Sequence, residues 1–138
     1  MITNKFLPVL SLLSLLFSCN QHKPERPSTS IETGRAFIKA SLIGDFTTAE
    51  TLLIKDSENV ALFKAYQQFY DRMSADKKQH YKEASYEINK LNEINDSTIL
   101  INYANDYMNK PMDIKVVRSN NIWSIDFKYT YSGNLPID

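Results

Sequence analysis

The order of hydrophobic periods along the chain predicts an α+β fold, with N-terminal helices packed on a curved antiparallel sheet of about four strands. Between residues 29 and 83 apolar residues recur at steps of three and four, whereas after residue 83 they alternate with polar ones. The period changes once, so helices come first and strands follow. A third observation is the asparagine-rich character of the breaks between the alternating segments, which is turn chemistry suited to hairpins.

Each element has its own signal. Thr29 and Glu32 are spaced as a capping box ahead of Ala36, Phe37, Ala40 and Ile43, which share one helical face, and Gly44 ends that helix. Asp45 is placed to cap a second short helix carrying Phe46, Ala49, Leu52 and Leu53. A third begins near Asp56-Ser57 and carries Val60, Phe63, Tyr66, Tyr70 and Met73 on a stripe. Ser74-Ala75-Asp76-Lys77 starts a short charged helix ending near Tyr81. Beyond it, Tyr86 and Ile88, then Ile99, Ile101 and Tyr103, then Ile114 and Val116, and finally Trp123, Ile125, Phe127, Tyr129 and Tyr131 alternate with polar neighbours as half-buried strands. Turns are expected at Asn92 to Asp96 and at Ser119-Asn120-Asn121.

The first thirty residues concern location. Phe6 to Phe17 is apolar apart from two serines and a proline, too short for a bilayer span, which takes about 20 apolar residues. One lysine, a short apolar core and the small residue Ser18 are the parts of an exported leader. Leu16-Phe17-Ser18-Cys19 resembles the lipobox of bacterial lipoproteins, although Phe17 is bulkier than the usual occupant. The resemblance implies cleavage before Cys19, a thioether-linked diacylglycerol on its sulfur and a further acyl chain on the new amino terminus. Several acyl chains would hold the chain stably in a membrane, where one anchors only marginally. Residues 20–30 carry no apolar side chain and two prolines, so they read as a solvated tether. The expected organisation is a lipoprotein signal peptide at 1–18, a flexible tether at 19–29 and one α+β domain at 30–138. The tether has Lys23 and a lone Glu25 rather than the acidic cluster of some surface-exported lipoproteins, which favours a periplasm-facing anchor.

Composition excludes several classes of function. Without residues 1–18, 15 basic side chains face 16 acidic ones, which argues against a nucleic-acid partner. Glycines stand only at 34, 44 and 133, too few and too scattered for a phosphate-cradling loop. The single cysteine forms no intramolecular disulfide and no Cys-rich zinc site. His22 falls in the tether and His80 in a lysine-rich helix, so no histidine pair is available for a triad or a metal. No cofactor is expected.

Gly44-Asp45-Phe46 with Ala49, the long helix after it and Asn121-Ile122-Trp123-Ser124-Ile125-Asp126-Phe127 resemble small bacterial lipoproteins of the Bacteroidota type, with the cone-shaped fold named after nuclear transport factor two. The resemblance implies a pocket between helices and sheet. Its superfamily includes isomerases and pure binding modules, so the fold alone assigns no activity. Tyr66, Tyr70, Tyr103 and Trp123 are the pocket candidates, with Tyr86 a further source of a hydroxyl. On the expected strand, Asp126 and Lys128 oppose the Trp123 stripe and face solvent, with Trp123 as a core anchor; in the reversed register Asp126 would line the cavity. Asp45 reads as a helix cap, and the run Asp76 to Lys82 as a solvated face or a contact for anionic lipid or glycan. The expected function is that of a non-enzymatic, membrane-anchored module. It binds an apolar or amphipathic small ligand or an envelope protein, or pairs as a homodimer through the sheet's outer face. The alternative is an isomerase- or hydrolase-type enzyme using Asp126 or Asp45 with a tyrosine.

Overall fold

A computed structural model describes residues 25–134, with side chains described up to residue 130. The leader at 1–18, Cys19 and the first part of the tether lie outside the described residues. The elements run α1 (Ser30–Ile43), α2 (Phe46–Thr51), α3 (Ser57–Arg72), α4 (Ala75–Glu83), β1 (Tyr86–Asn95), β2 (Thr98–Asn105), β3 (Met112–Ser119), β4 (Ile122–Ile125) and α5 (Phe127–Asn134). The architecture is α+β: four helices, then an open antiparallel sheet in the order β1-β2-β3-β4, closed by a last short helix. No helix among the described residues is long and apolar enough to cross a membrane.

Local chemistry explains the helix boundaries. Thr29 Oγ1 accepts from Glu32 N at 3.2 Å while the Glu32 carboxylate accepts from Thr29 N, so two otherwise orphaned donors at the start of α1 are satisfied. Gly44 ends α1 at φ 76°, a left-handed conformation that a Cβ would strain. A Cβ there would also come within 2.8 Å of the Tyr70 hydroxyl. Asp45, Asp56 and Ser74 cap α2, α3 and α4 by accepting from Thr48 N, Asn59 N and Lys77 N. These hydrogen bonds hold the Asp45 and Asp56 carboxyls below the usual carboxylate range.

The helices cover one face of the sheet. Ile101, Tyr103, Met112, Ile114, Val116 and Ile125 point inward and are buried, meeting Phe37, Ile38, Phe46, Leu53 and Phe63 from the helical layer. Four aromatic rings fill the centre: Phe127 lies 5.9 Å from Phe37, 5.2 Å from Phe63 and 5.8 Å from Tyr66 between centroids. The space between helices and sheet is therefore filled at this level. The opposite face carries a polar ladder, with Asn89 Nδ2 donating to Asn102 Oδ1 at 3.0 Å and Asn102 Nδ2 to Asp113 Oδ1 at 2.7 Å. Inward apolar and outward polar is the pattern of a sheet covered on one side.

Two hairpin details follow from turn chemistry. Asn120 and Asn121 take φ 49° and 60°, as expected for a two-residue turn between Ser119 and Ile122. The expected turn at Asn92 to Asp96 is corrected: β1 continues to Asn95, the turn is Asp96-Ser97, and irregularities at Asn89 and Ile94 absorb the extra residues. Asn95 Oδ1 holds the turn by accepting from Ser97 N and Ser97 Oγ.

The expected fourth strand through Tyr131 is also corrected. β4 stops at Ile125 and residues 127–134 form α5. Asp126 N makes the last ladder bond, to Lys115 O at 2.9 Å. The chain then turns, because Lys128 N finds an acceptor in Asn59 Oδ1 at 2.9 Å, a cap supplied by a residue 69 positions earlier. Asn59 is fully buried and oriented by Asp56 Oδ2, which accepts from its Nδ2 at 2.8 Å. α5 packs on the part of β3 that short β4 leaves unpaired, covering an edge. On the other side of β4, Ile125 N donates to Leu52 O and Ile54 N to Ile125 O, so the link between α2 and α3 brackets the strand.

Candidate functional site

The tyrosines expected to line a pocket lie on the helix side of the sheet. Tyr66 and Tyr70 project from α3, and Tyr103 from β2. Tyr103 is buried and its hydroxyl donates to Met112 Sδ at 3.8 Å. Tyr81, on α4, donates to Met108 Sδ at 2.8 Å. Burial pushes the Tyr66, Tyr81 and Tyr103 hydroxyls up, Tyr81 to about 12, with the neighbouring phenols adding to the shift. Such groups stay protonated at neutral pH and act as hydrogen-bond donors, not as bases. Trp123 does not join them. It sits opposite Arg118 while Tyr103 sits opposite Met112, six ladder positions away or about 20 Å along β3.

Trp123 packs against the edge of the core rather than at its centre, where its position in the alternation predicts an anchor. It is half-buried, with the Arg118 guanidinium 5.2 Å from its ring centroid. The buried side chains of this segment are Ile125 and Phe127. Ile125 is opposite Val116 beneath the helices, whereas Trp123 lies two residues nearer the turn.

Asp126 corrects a second expectation. It is 6% exposed rather than solvated, with Oδ2 3.1 Å from Lys115 Nζ. Oδ1 accepts no hydrogen bond from the described residues. Lys115 Nζ also lies 5.6 Å from the Tyr129 ring centroid. The burial of Asp126 arises at the strand-to-helix junction, where α5 packs on β3, while Lys115 stays partly exposed. Breaking such a pair leaves an uncompensated charge, so its presence says more about the junction than about net stability. Asp45 accepts from Thr48 N at 3.0 Å and serves as the cap of α2. Both carboxylates of the enzyme alternative are thus engaged, one by an ammonium and one by a backbone amide.

The open concave surface lies at the end of the sheet where β1 begins and β2 ends. A depression of about 600 Å³ is lined by Tyr86, Glu87, Asn89, Asn105, Asn109 and Pro111, among others. Its rim is built by local hydrogen bonds. Asn105 Oδ1 accepts from Met108 N at 2.8 Å, and Asp106 Oδ1 accepts from Ser85 N at 3.0 Å. Asn109 takes a positive φ of 48°, which asparagine tolerates. A second depression of about 440 Å³ adjoins it, lined by Leu42, Ile43, Ala84, Lys39 and Lys82. Ser85 and Tyr86 line both. One side offers amides and carboxylates, the other an aliphatic shelf with two ammonium groups.

Reasoning from the sequence finds Tyr86 but misses its surroundings. The available signal is the run Asn102 to Asn109, in which three asparagines and an aspartate crowd the end of β2 and the loop after it. Among the described residues no group of three or more His, Cys, Asp or Glu side chains is placed to hold a metal ion. No family model matches the chain, and no curated protein or solved structure matches it.

Proposed function

We propose that this chain is a non-enzymatic lipoprotein of a bacterial envelope, anchored through acylated Cys19 and facing the periplasm, whose cone-type domain binds an amphipathic small ligand across Tyr86. The observation that carries the binding reading is the junction of two depressions at Ser85 and Tyr86, polar on one side and aliphatic with Lys39 and Lys82 on the other. A ligand with an apolar body and an anionic or hydroxylated head fits both halves. The engagement of Asp126 by Lys115 and of Asp45 by Thr48 supports binding over catalysis. Helices preceding a covered antiparallel sheet support the likeness to the nuclear transport factor two cone, and Leu16-Phe17-Ser18-Cys19 supports the anchor.

The test uses anilinonaphthalene sulfonate, an apolar dye with a sulfonate head. Saturable binding should be weakened about tenfold by Tyr86→Ala, equivalent to about 1.4 kcal/mol, at a temperature where circular dichroism shows the variant folded. Non-saturable binding, or equal affinity in the variant, removes the site. Cys19→Ser should abolish labelling by radioactive palmitate and release the protein from membranes, and persistent labelling removes the anchor.

A further inference from the structure

We infer that the end of the sheet carrying the two tight turns rests against the lipid surface. The inference builds on the anchored reading of Cys19 and adds an orientation to it. Arg26 is bonded to the domain: Nη1 donates to Thr51 O at 2.7 Å, and Nη2 to Trp123 O at 3.0 Å and Ser124 Oγ at 2.9 Å. The chain is thus fixed at β4 by a side chain only seven residues after Cys19, so the Cα of Cys19 stays within about 25 Å of the Cα of Arg26 by any path.

The turns nearest this point lie together. Arg118 N donates to Ser97 O at 2.8 Å and Arg118 Nη2 to Asp96 O at 3.1 Å, joining the Asp96-Ser97 turn to the Asn120-Asn121 hairpin. Two of the large hydrophobic side chains exposed among the described residues lie beside these turns, Ile94 at 53% and Ile122 at 47%, while Leu91 stands mid-strand opposite Ile101. Ile94 occupies an irregularity of β1, where the ladder does not dictate its direction. Beside them are half-buried Trp123 and the Arg118 stacked on it, an aromatic and a cation of the kind enriched at lipid headgroup level. Glu93 and Asp96 are also exposed here, so Arg26 and Arg118 do not make the end strongly basic. The contact is therefore apolar and insensitive to salt rather than electrostatic. The Tyr86 depressions open at the opposite end of strands about 27 Å long, as expected for eight residues. This orientation leaves them facing solvent.

Trp123 is the chain's single tryptophan and reports on this end. Full-length protein made in cells fed radioactive palmitate is reconstituted into phosphatidylethanolamine–phosphatidylglycerol vesicles carrying a headgroup nitroxide. Trp123 emission should be quenched. Ile94→Asp combined with Ile122→Asp, and separately Arg26→Ala, should reduce the quenching by about twofold or more while palmitate labelling persists. In a Trp123→Phe background, a tryptophan introduced by Asn109→Trp at the other end should remain unquenched. Labelled protein with unquenched Trp123, equal quenching in the variants or quenching at position 109 overturns the orientation and leaves the anchor standing. Absence of label overturns both.

Discussion

The two ends of this sheet use the same strands and differ in how the strands stop. At the hairpin end, turns of two residues bring β1 to β2 and β3 to β4, leaving aliphatic side chains in the open. At the mouth end, the connection from β2 to β3 is a loop fastened by Asn105 and Asp106, and the residues around it are amides, carboxylates and Tyr86. A two-residue turn has little room for a concavity, whereas a loop held by side-chain hydrogen bonds makes a rim. Polar side chains accordingly collect at the mouth and exposed aliphatic ones at the hairpins. Between them, the aromatic centre holds both ends to one frame.

The largest expected effect tests that shared frame. Phe127→Ala removes a fully buried ring touching Phe37, Phe63 and Tyr66, and should cost about 3–5 kcal/mol in urea denaturation. A loss below about 1 kcal/mol would mean that the ends are not joined through this ring.

Alkaline titration sharpens the comparison next, because the buried phenols of Tyr66, Tyr81 and Tyr103 lie on the helix side and none lies at the hairpin tips. Their hydroxyls are raised in the folded state. Above the unfolded value near pH 10 the unfolded chain therefore loses protons that the folded chain keeps. Stability is complete below pH 10 and falls with rising pH by about 1.4 kcal/mol per unit for each such group, a loss that for Tyr81 ends near 12. Phenolate absorbance should show Tyr66 and Tyr103 ionising only with unfolding and Tyr81 no earlier than about pH 12 in the folded chain. Full ionisation in a folded chain at pH 11 would contradict their burial.

The smallest effect belongs to the hairpin end. Trp123→Ala removes a half-buried ring that packs against the edge of the core and stacks on Arg118, so its cost in urea should be smaller than that of Phe127→Ala, at about 1–2 kcal/mol. A loss of about 3–5 kcal/mol would make Trp123 as central to the core as Phe127.

What the sequence reveals about the fold is mostly local. Thr29 with Glu32, Asp45, Asp56 and Ser74 mark helix starts because a cap and its amide are three residues apart, and Asn120-Asn121 marks a turn because asparagine accepts positive φ. The segment after Ile125 is misread because Phe127, Thr130 and Tyr131 satisfy helical spacing while Phe127, Tyr129 and Tyr131 satisfy alternation. The choice is made by Asn59, remote in sequence, and by the length of β4. A strand through this segment would put Asp126 in solvent, whereas the turn into α5 buries it. The mouth was only partly legible: Tyr86 falls on the alternation, but its neighbours are brought together by β-pairing and by an irregularity at Asn89.

The clasp between Asn59 and Lys128 has a temporal consequence. An acceptor made early must wait for a donor made almost seventy residues later, and the bracket from Leu52 and Ile54 to Ile125 spans a similar interval. During synthesis the first helices gain their lid and Phe127 only when the final segment emerges. Premature termination near residue 120 should therefore yield a chain that remains open to proteases, because it lacks the piece that locks its beginning to its end.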